Sequence, residues 1–280
     1  QGLLGLVAAA NVLVITAPAF TLMAIALLAR EATGDPWAAL IAGLLGTITS
    51  FAMWVLPVVY LSCGWVPPAL LWVWWMLQRH RRLWWAAVEF VLLGFCVFAS
   101  QEFAMLSVAV LGLDVLVRAT CARRLGLPPV WWRGTIVFFV AAGLFLGGLA
   151  VVALANPADP PPPAQAMLGS GYLLGFVSPR WLVTPALKFG AVFYFGTVTL
   201  LLAALAVWKA PRPSAYWVLL GLPLIGMVLG PYMHLQHPFF SLPPPGGTIP
   251  TSGIPGLYLI AGEVFPLLKN VIALLVAMWL

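Results

Sequence analysis

The chain has 280 residues, of which 13 are basic and 7 acidic, so charged side chains make up 7% of it, against roughly 25% in an average soluble domain. Residues of the set AVILMFWYC make up 63%, more apolar surface than a water-soluble fold can cover with polar groups. A soluble enzyme, a disordered tail and a secreted disulfide scaffold are excluded, and an all-α integral membrane protein that crosses the bilayer many times is expected.

Apolar runs divided by charge or by Pro/Gly clusters predict about nine transmembrane helices, near residues 3–29, 36–50, 53–77, 83–99, 102–118, 134–154, 188–208, 214–233 and 258–280. A straight span needs about 20 residues, so the second, fourth and fifth runs are short ones. The 36–77 stretch must turn once, near Thr49–Ala52 or alternatively at Cys63–Pro68, and the 83–118 stretch has its one polar interruption at Ser100, Gln101 and Glu102. Cys63, Cys96 and Cys121 have no metal-like spacing. The whole reads as a single polytopic domain, 1–280. Because it opens on Gln1 and closes inside an apolar run at Leu280, it is expected to be a segment of a longer protein.

With this helix set, Arg30, Arg79, Arg81, Arg82, Arg118, Arg123, Arg124, Arg133, Lys209 and Arg212 fall on one side, and only Arg180, Lys188 and Lys269 fall on or near the other. The excess of positive charge puts the first group in the cytoplasm. The net charge of +6 is therefore a topology signal and not a nucleic-acid footprint. A multi-pass protein of the bacterial cytoplasmic (inner) membrane is expected, with two long Pro-rich outer loops at 156–187 and 234–256. Loops on a rigid scaffold commonly carry function, though Pro-rich ones also serve as stiff spacers.

Ionisable residues at membrane depth are the first candidates for function. Glu89 lies about two turns inside the fourth helix, where the bland reading is a buried carboxyl hydrogen-bonded to a neighbouring helix. Glu102, at the outer break, is the candidate general base, with capping of the turn as its structural alternative. Asp114 precedes Arg118 by four residues, the spacing of a helical ion pair. His234 and His237 stand at i, i+3 beyond the eighth helix, an incomplete metal set without a nearby Cys or acid; they read as ordinary interfacial histidines, with a chlorophyll or haem ligand as the other reading, and no metal site is assigned. Arg180, Lys188 and Lys269 are the outer cations that would hold a lipid-linked phosphate, unless they only snorkel to headgroups. The run Arg79–Arg82, with His80, reads as topology and a weak anionic-lipid contact. Trp72, Trp74, Trp75, Trp84, Trp85, Trp131 and Trp132 fit interfacial belts. Gly143-x-x-x-Gly147 and Gly226-x-x-x-Gly230 read as close-packing positions between helices.

A run of local patterns then becomes familiar. Ala38-Ala39-Leu40-Ile41-Ala42-Gly43-Leu44-Leu45 leads to Trp54-x-x-Pro57, a basic turn and Leu93-Gly94. Ser170-x-x-Leu173-Leu174-Gly175-Phe176-Val177-x-Pro179 and Phe195-Gly196 follow, then Leu229-Gly230-Pro231-Tyr232-x-His234 and Ile254-Pro255. Together, over about residues 36–270, these resemble the polytopic bacterial GT-C-type glycosyltransferases and their uncharacterised relatives. The resemblance implies a helical bundle that takes a sugar from a polyprenyl-phosphate carrier at the outer face. It also marks departures. The early outer loop that carries the family's acidic base is not seen in this sequence, Tyr172 stands where members often have an acid, and the arginines after the last outer loop are reduced to Lys269.

Two functions are therefore carried forward. In a transferase, Glu102 or an upstream acid deprotonates the acceptor, Arg180, Lys188 or Lys269 holds the leaving lipid phosphate, and His234 lines the sugar site. No nucleotide cofactor is implied. The alternative is a non-catalytic subunit of a larger respiratory or photosynthetic membrane assembly, with partner membrane subunits. A transporter ranks third, since Glu89, Gln101 and Glu102 trace no continuous polar path. Membrane lipids are partners in every case.

Overall fold

The computed structural model describes residues 2–51, 65–99, 101–155 and 197–228 and two short strands. Eight helices appear among them: α1 (Gly2–Thr33), α2 (Pro36–Phe51), α3 (Val66–His80), α4 (Leu83–Ala99), α5 (Gln101–Leu125), α6 (Trp132–Ala155), α7 (Thr197–Lys209) and α8 (Pro211–Val228). β1 (Tyr232–Met233) pairs antiparallel with β2 (Ile254–Pro255). The described residues are thus helical, apart from that ladder and the short turns between helices. The expected ninth helix, 258–280, and most of both outer loops lie outside the described residues. The chain divides into two compact units, Gln1–Arg123 with Leu127–Asn156, and Arg124–Gly126 with Pro157–Leu280.

In the first unit each helix ends where local chemistry requires it. Gly34, in the left-handed conformation at φ 74°, donates its N–H to the Arg30 carbonyl and closes α1. Asp35 then accepts the Trp37 N–H on its carboxylate (2.9 Å), capping α2, with Pro36 at the first helical position. α3 opens on Pro67 and Pro68, so of the two expected turns in the 36–77 stretch the described helix start falls in the second, while residues 52–64 lie outside the described set. α4 stops at Ala99 and α5 starts at Gln101, the break expected from Ser100. α5 runs seven residues past the expected 118, because Arg123 and Arg124 are good helix formers and the first stop is Gly126 (φ 68°), with Leu127 N–H bonded to the Ala122 carbonyl.

α1 and α2 form a hairpin whose seam is set by Gly43 and Gly46. A Cβ on Gly43 would sit 2.8 Å from the Leu22 carbonyl oxygen and 3.1 Å from the Ala26 Cβ. The close approach expected of Gly143 and Gly147 is not there: no atom among the described residues lies within 4 Å of either Cβ position. Gly226 and Gly230 have no described surroundings. Gly43→Ala is accordingly expected to lower stability by about 1–3 kcal/mol through overpacking against backbone. Gly143→Ala is expected to raise it by about 0.5–1 kcal/mol through helix propensity. Thermal unfolding in one detergent checks both.

α3 is the innermost helix, with Val66, Pro67, Ala69, Leu70, Val73, Trp74, Trp75, Leu77 and Gln78 all buried. It packs on α1 and on α4, and its Trp74 ring meets Phe138 and Phe139 of α6 edge-on at 5.5 and 5.9 Å. Trp74 and Trp75 therefore belong to the helix core and not to an interfacial belt; only Trp84 and Trp132 of the cluster stand exposed. α6 buries Phe138 and Ala142 and exposes Ile136, Val137, Val140, Leu144 (76%) and Val151, an apolar stripe at helical spacing. Among the described residues one helical segment, Ala104–Leu125 in α5, is long and apolar enough to cross a membrane.

Four side-chain contacts gather the helix ends. Glu31 of α1 pairs with Arg79 of α3 at 2.6 Å. Gln78 donates to Thr135 Oγ1 (3.1 Å) and accepts the Trp131 backbone N–H (2.7 Å). Arg118 Nη1 donates to the Pro128 carbonyl (3.4 Å). The last turns of α1, α3 and α5 and the starts of α2, α4 and α6 thus share one end of this unit. Arg30, Arg79, Arg81, Arg82, Arg118, Arg123 and Arg133 lie there, the same arginines that the sequence assigns to one side.

In the second unit a single residue, Ala210, separates α7 from α8, and the two pack together. Leu201, Leu202, Leu205, Val207 and Trp208 of α7 are exposed. The β ladder pairs Tyr232 with Pro255 and Met233 with Ile254, and His234 follows β1 directly in sequence.

Candidate functional site

Two buried polar clusters and one isolated carboxyl make up the chemistry of the first unit. The first cluster is built on Asp114, which α5 brings opposite α3. Arg118, one turn on, donates Nε to both carboxylate oxygens (2.9 and 2.7 Å), and the Trp74 indole donates to Oδ2 at 2.6 Å. The Arg118 guanidinium also lies 4.7 Å over the Trp75 ring. Both charged side chains are almost wholly buried, at 1% and 0% exposure. The carboxylate is buried, paired with Arg118 on its own helix and bonded by Trp74 across to α3, so the cluster works as a clasp between α3 and α5. The second cluster is the Gln78 bridge, whose amide uses its donor on Thr135 and its acceptor on Trp131 and fixes the entry into α6.

Glu89 is different. It is fully buried, and neither carboxylate oxygen has a hydrogen-bond partner among the described residues; the buried Trp72 indole N–H is in the same condition. The Trp72 ring meets Trp85 edge-on at 5.8 Å, and Trp85 precedes Glu89 by one turn on the same face of α4. The interhelical hydrogen bond expected for Glu89 is thus not made by any described residue. Burying a polar group without a partner costs about 1–3 kcal/mol. Glu89→Met, similar in volume, is therefore expected to raise the melting temperature in detergent. Added stability with lost activity would mark the carboxyl as one kept for use.

The residues singled out from the sequence are only partly in view. Glu102 is the second residue of α5, and its side chain lies outside the described residues. Arg180, Lys188, His234, His237 and Lys269 also lie outside them, although β1 and β2 fix the backbone immediately before His234. Among the described residues no three His, Cys, Asp or Glu side chains come together as a metal would need. From the sequence Trp74 reads as a belt residue and Gln78 carries no signal, because their partners are 40 and more residues away and no spacing rule reaches that far. The chain matches no family model, no curated protein and no solved structure.

Proposed function

We infer that this chain is a multi-pass protein of the bacterial cytoplasmic membrane with a GT-C-like bundle, using a polyprenyl-phosphate-linked sugar at the outer face. The observation that carries the reading is the β1–β2 ladder. Leu229-Gly230-Pro231-Tyr232-x-His234 and Ile254-Pro255 are separate pieces of the resemblance, about twenty residues apart, and the ladder joins them as direct partners. A ladder there returns the chain to the side it left, as an outer loop closing over a site would. The membrane part of the reading has independent support in the arginines gathered at one end of the first unit and in the apolar stripe exposed on α6.

Within this reading Glu102 takes the acceptor proton, Arg180, Lys188 or Lys269 neutralises the departing lipid phosphate, and His234, next in sequence after β1, lines the sugar site. Membranes containing the protein should transfer label from a polyprenyl-phosphate sugar to an acceptor, and membranes without it should not. Absence of transfer across the common donor sugars would remove the enzymatic part of the proposal.

A second reading has its own observation. In the first unit Asp114, Arg118, Arg79 and Glu31 are used in holding helices together, the economy of a scaffold subunit in a larger membrane assembly. Extraction in mild detergent separates the two. A lone particle carrying a polyprenyl-phosphate lipid supports the transferase, and a large particle with fixed partner proteins supports the scaffold.

A further inference from the structure

Three helix-ending turns among the described residues each contain one residue in the left-handed conformation. Two of the three are glycines, Gly34 at φ 74° and Gly126 at φ 68°; the third is Arg81 at φ 55°, the one non-glycine with positive φ among the described residues. A side chain is disfavoured there because its Cβ crowds the following carbonyl. The backbone task at Arg81 is only to donate its N–H to Leu77 and close α3 (3.1 Å), which glycine would do with less strain. The arginine side chain must therefore be what the position is kept for, and strain held at one exposed residue points to a function.

Its surroundings indicate the ligand. Arg81 and Arg82 are exposed, as is Arg133 in the first turn of α6, whose start the Gln78 bonds to Trp131 and Thr135 hold beside the end of α3. The carboxylates at this end are already engaged, Glu31 with Arg79 and Asp35 with the Trp37 N–H. Trp84 is 49% and Trp132 55% exposed, and Trp84 stacks on Trp85 at 3.7 Å between centroids. Guanidinium groups fit phosphate oxygens in pairs, and exposed tryptophans beside them sit at the level of lipid headgroups.

We propose that Arg81, Arg82 and Arg133, flanked by Trp84 and Trp132, form a binding site for the phosphate of an anionic phospholipid in the inner leaflet. The site rests on the membrane part of the proposed function and not on the transferase part.

The test uses purified protein in a neutral detergent, titrated with short-chain phosphatidylglycerol, short-chain phosphatidylcholine or inorganic phosphate. Bound lipid is read by native mass spectrometry and stability by thermal unfolding. Phosphatidylglycerol should bind and raise the melting temperature, while phosphatidylcholine and inorganic phosphate do neither. Arg81→Gly should weaken phosphatidylglycerol binding about fivefold and yet melt higher than wild type without lipid. Arg81→Asn, which tolerates the left-handed turn, should lose binding to the same extent. Unchanged phosphatidylglycerol binding in both variants, or equal binding of the two lipids by the wild type, overturns the proposal. Binding of inorganic phosphate alone would make it a soluble-anion site and overturn it as well. Reconstitution into vesicles of phosphatidylcholine, with and without an equal part of phosphatidylglycerol, separates the two levels. Insertion into neither overturns the membrane reading, and insertion into both with no lipid preference at Arg81 overturns this site alone.

Discussion

Replacing Asp114 with alanine is expected to destabilise the protein by about 3–5 kcal/mol, the cost of leaving a buried charge without its partner. Arg118 would then lose its carboxylate, and neither the Pro128 carbonyl at 3.4 Å nor the face of Trp75 neutralises it. The Trp74 indole would lose its acceptor in the same step, which adds an unsatisfied donor in the core. In thermal unfolding this corresponds to a fall of roughly 10 °C for a chain of this size. Asp114→Asn should cost less, since the amide oxygen still accepts from Trp74. Replacing Asp114 and Arg118 together by leucine and methionine should cost much less than the alanine variant, because no buried charge remains. If the single alanine variant melted within a degree or two of wild type, the clasp between α3 and α5 would not be a source of stability.

For the proposed sugar transfer, the largest effect is expected at Glu102. A general base contributes about 10²- to 10⁴-fold to a rate, so Glu102→Gln should reduce sugar transfer by at least about 10²-fold while the protein unfolds at an unchanged temperature. The glutamine keeps the size of the side chain and its capacity to accept a hydrogen bond, so a capping role at the start of α5 would largely survive the substitution and only proton transfer would fail. Glu102→Asp, which shortens the reach but keeps the acid, should restore part of the rate. Full transfer by the glutamine variant would remove Glu102 from the mechanism and leave the base to an acid elsewhere in the protein.

Much of the helical layout was legible because its punctuation is local. Ser100 marks the α4–α5 break, Gly34 and Asp35 the α1–α2 turn, and the i, i+4 spacing announces Asp114 with Arg118. The length of α5 was readable too, in Gly126 followed two residues later by Pro128, but the charges at Arg118 drew the expected boundary too early. What local rules cannot reach is partnership across helices. Trp74 and Trp84 look alike in a sequence, since an indole suits both a headgroup layer and a polar core contact, and only the position of Asp114 decides that Trp74 is buried. Gly43 and Gly143 are similarly equivalent until a neighbouring helix is known; Leu22 and Ala26 supply it for one and no described residue does for the other. Charge and expected side of the membrane single out the candidate catalytic residues, and of these the backbone of Glu102 alone is among the described residues.

The placing of Asp114 and Arg118 within one helix also bears on how the protein is made. Two ions separated by four residues neutralise each other as soon as that turn of α5 forms, before any other helix is beside it. On the proposed membrane reading, an emerging segment that would otherwise expose two charges to lipid instead presents a hydrogen-bonded dipole, which greatly lowers the cost of moving it out of water. Trp74 belongs to a helix synthesised earlier, so the third member of the cluster is already in place when α5 arrives. The clasp can thus close in the order of synthesis, with no step at which a lone charge waits in the bilayer for its partner.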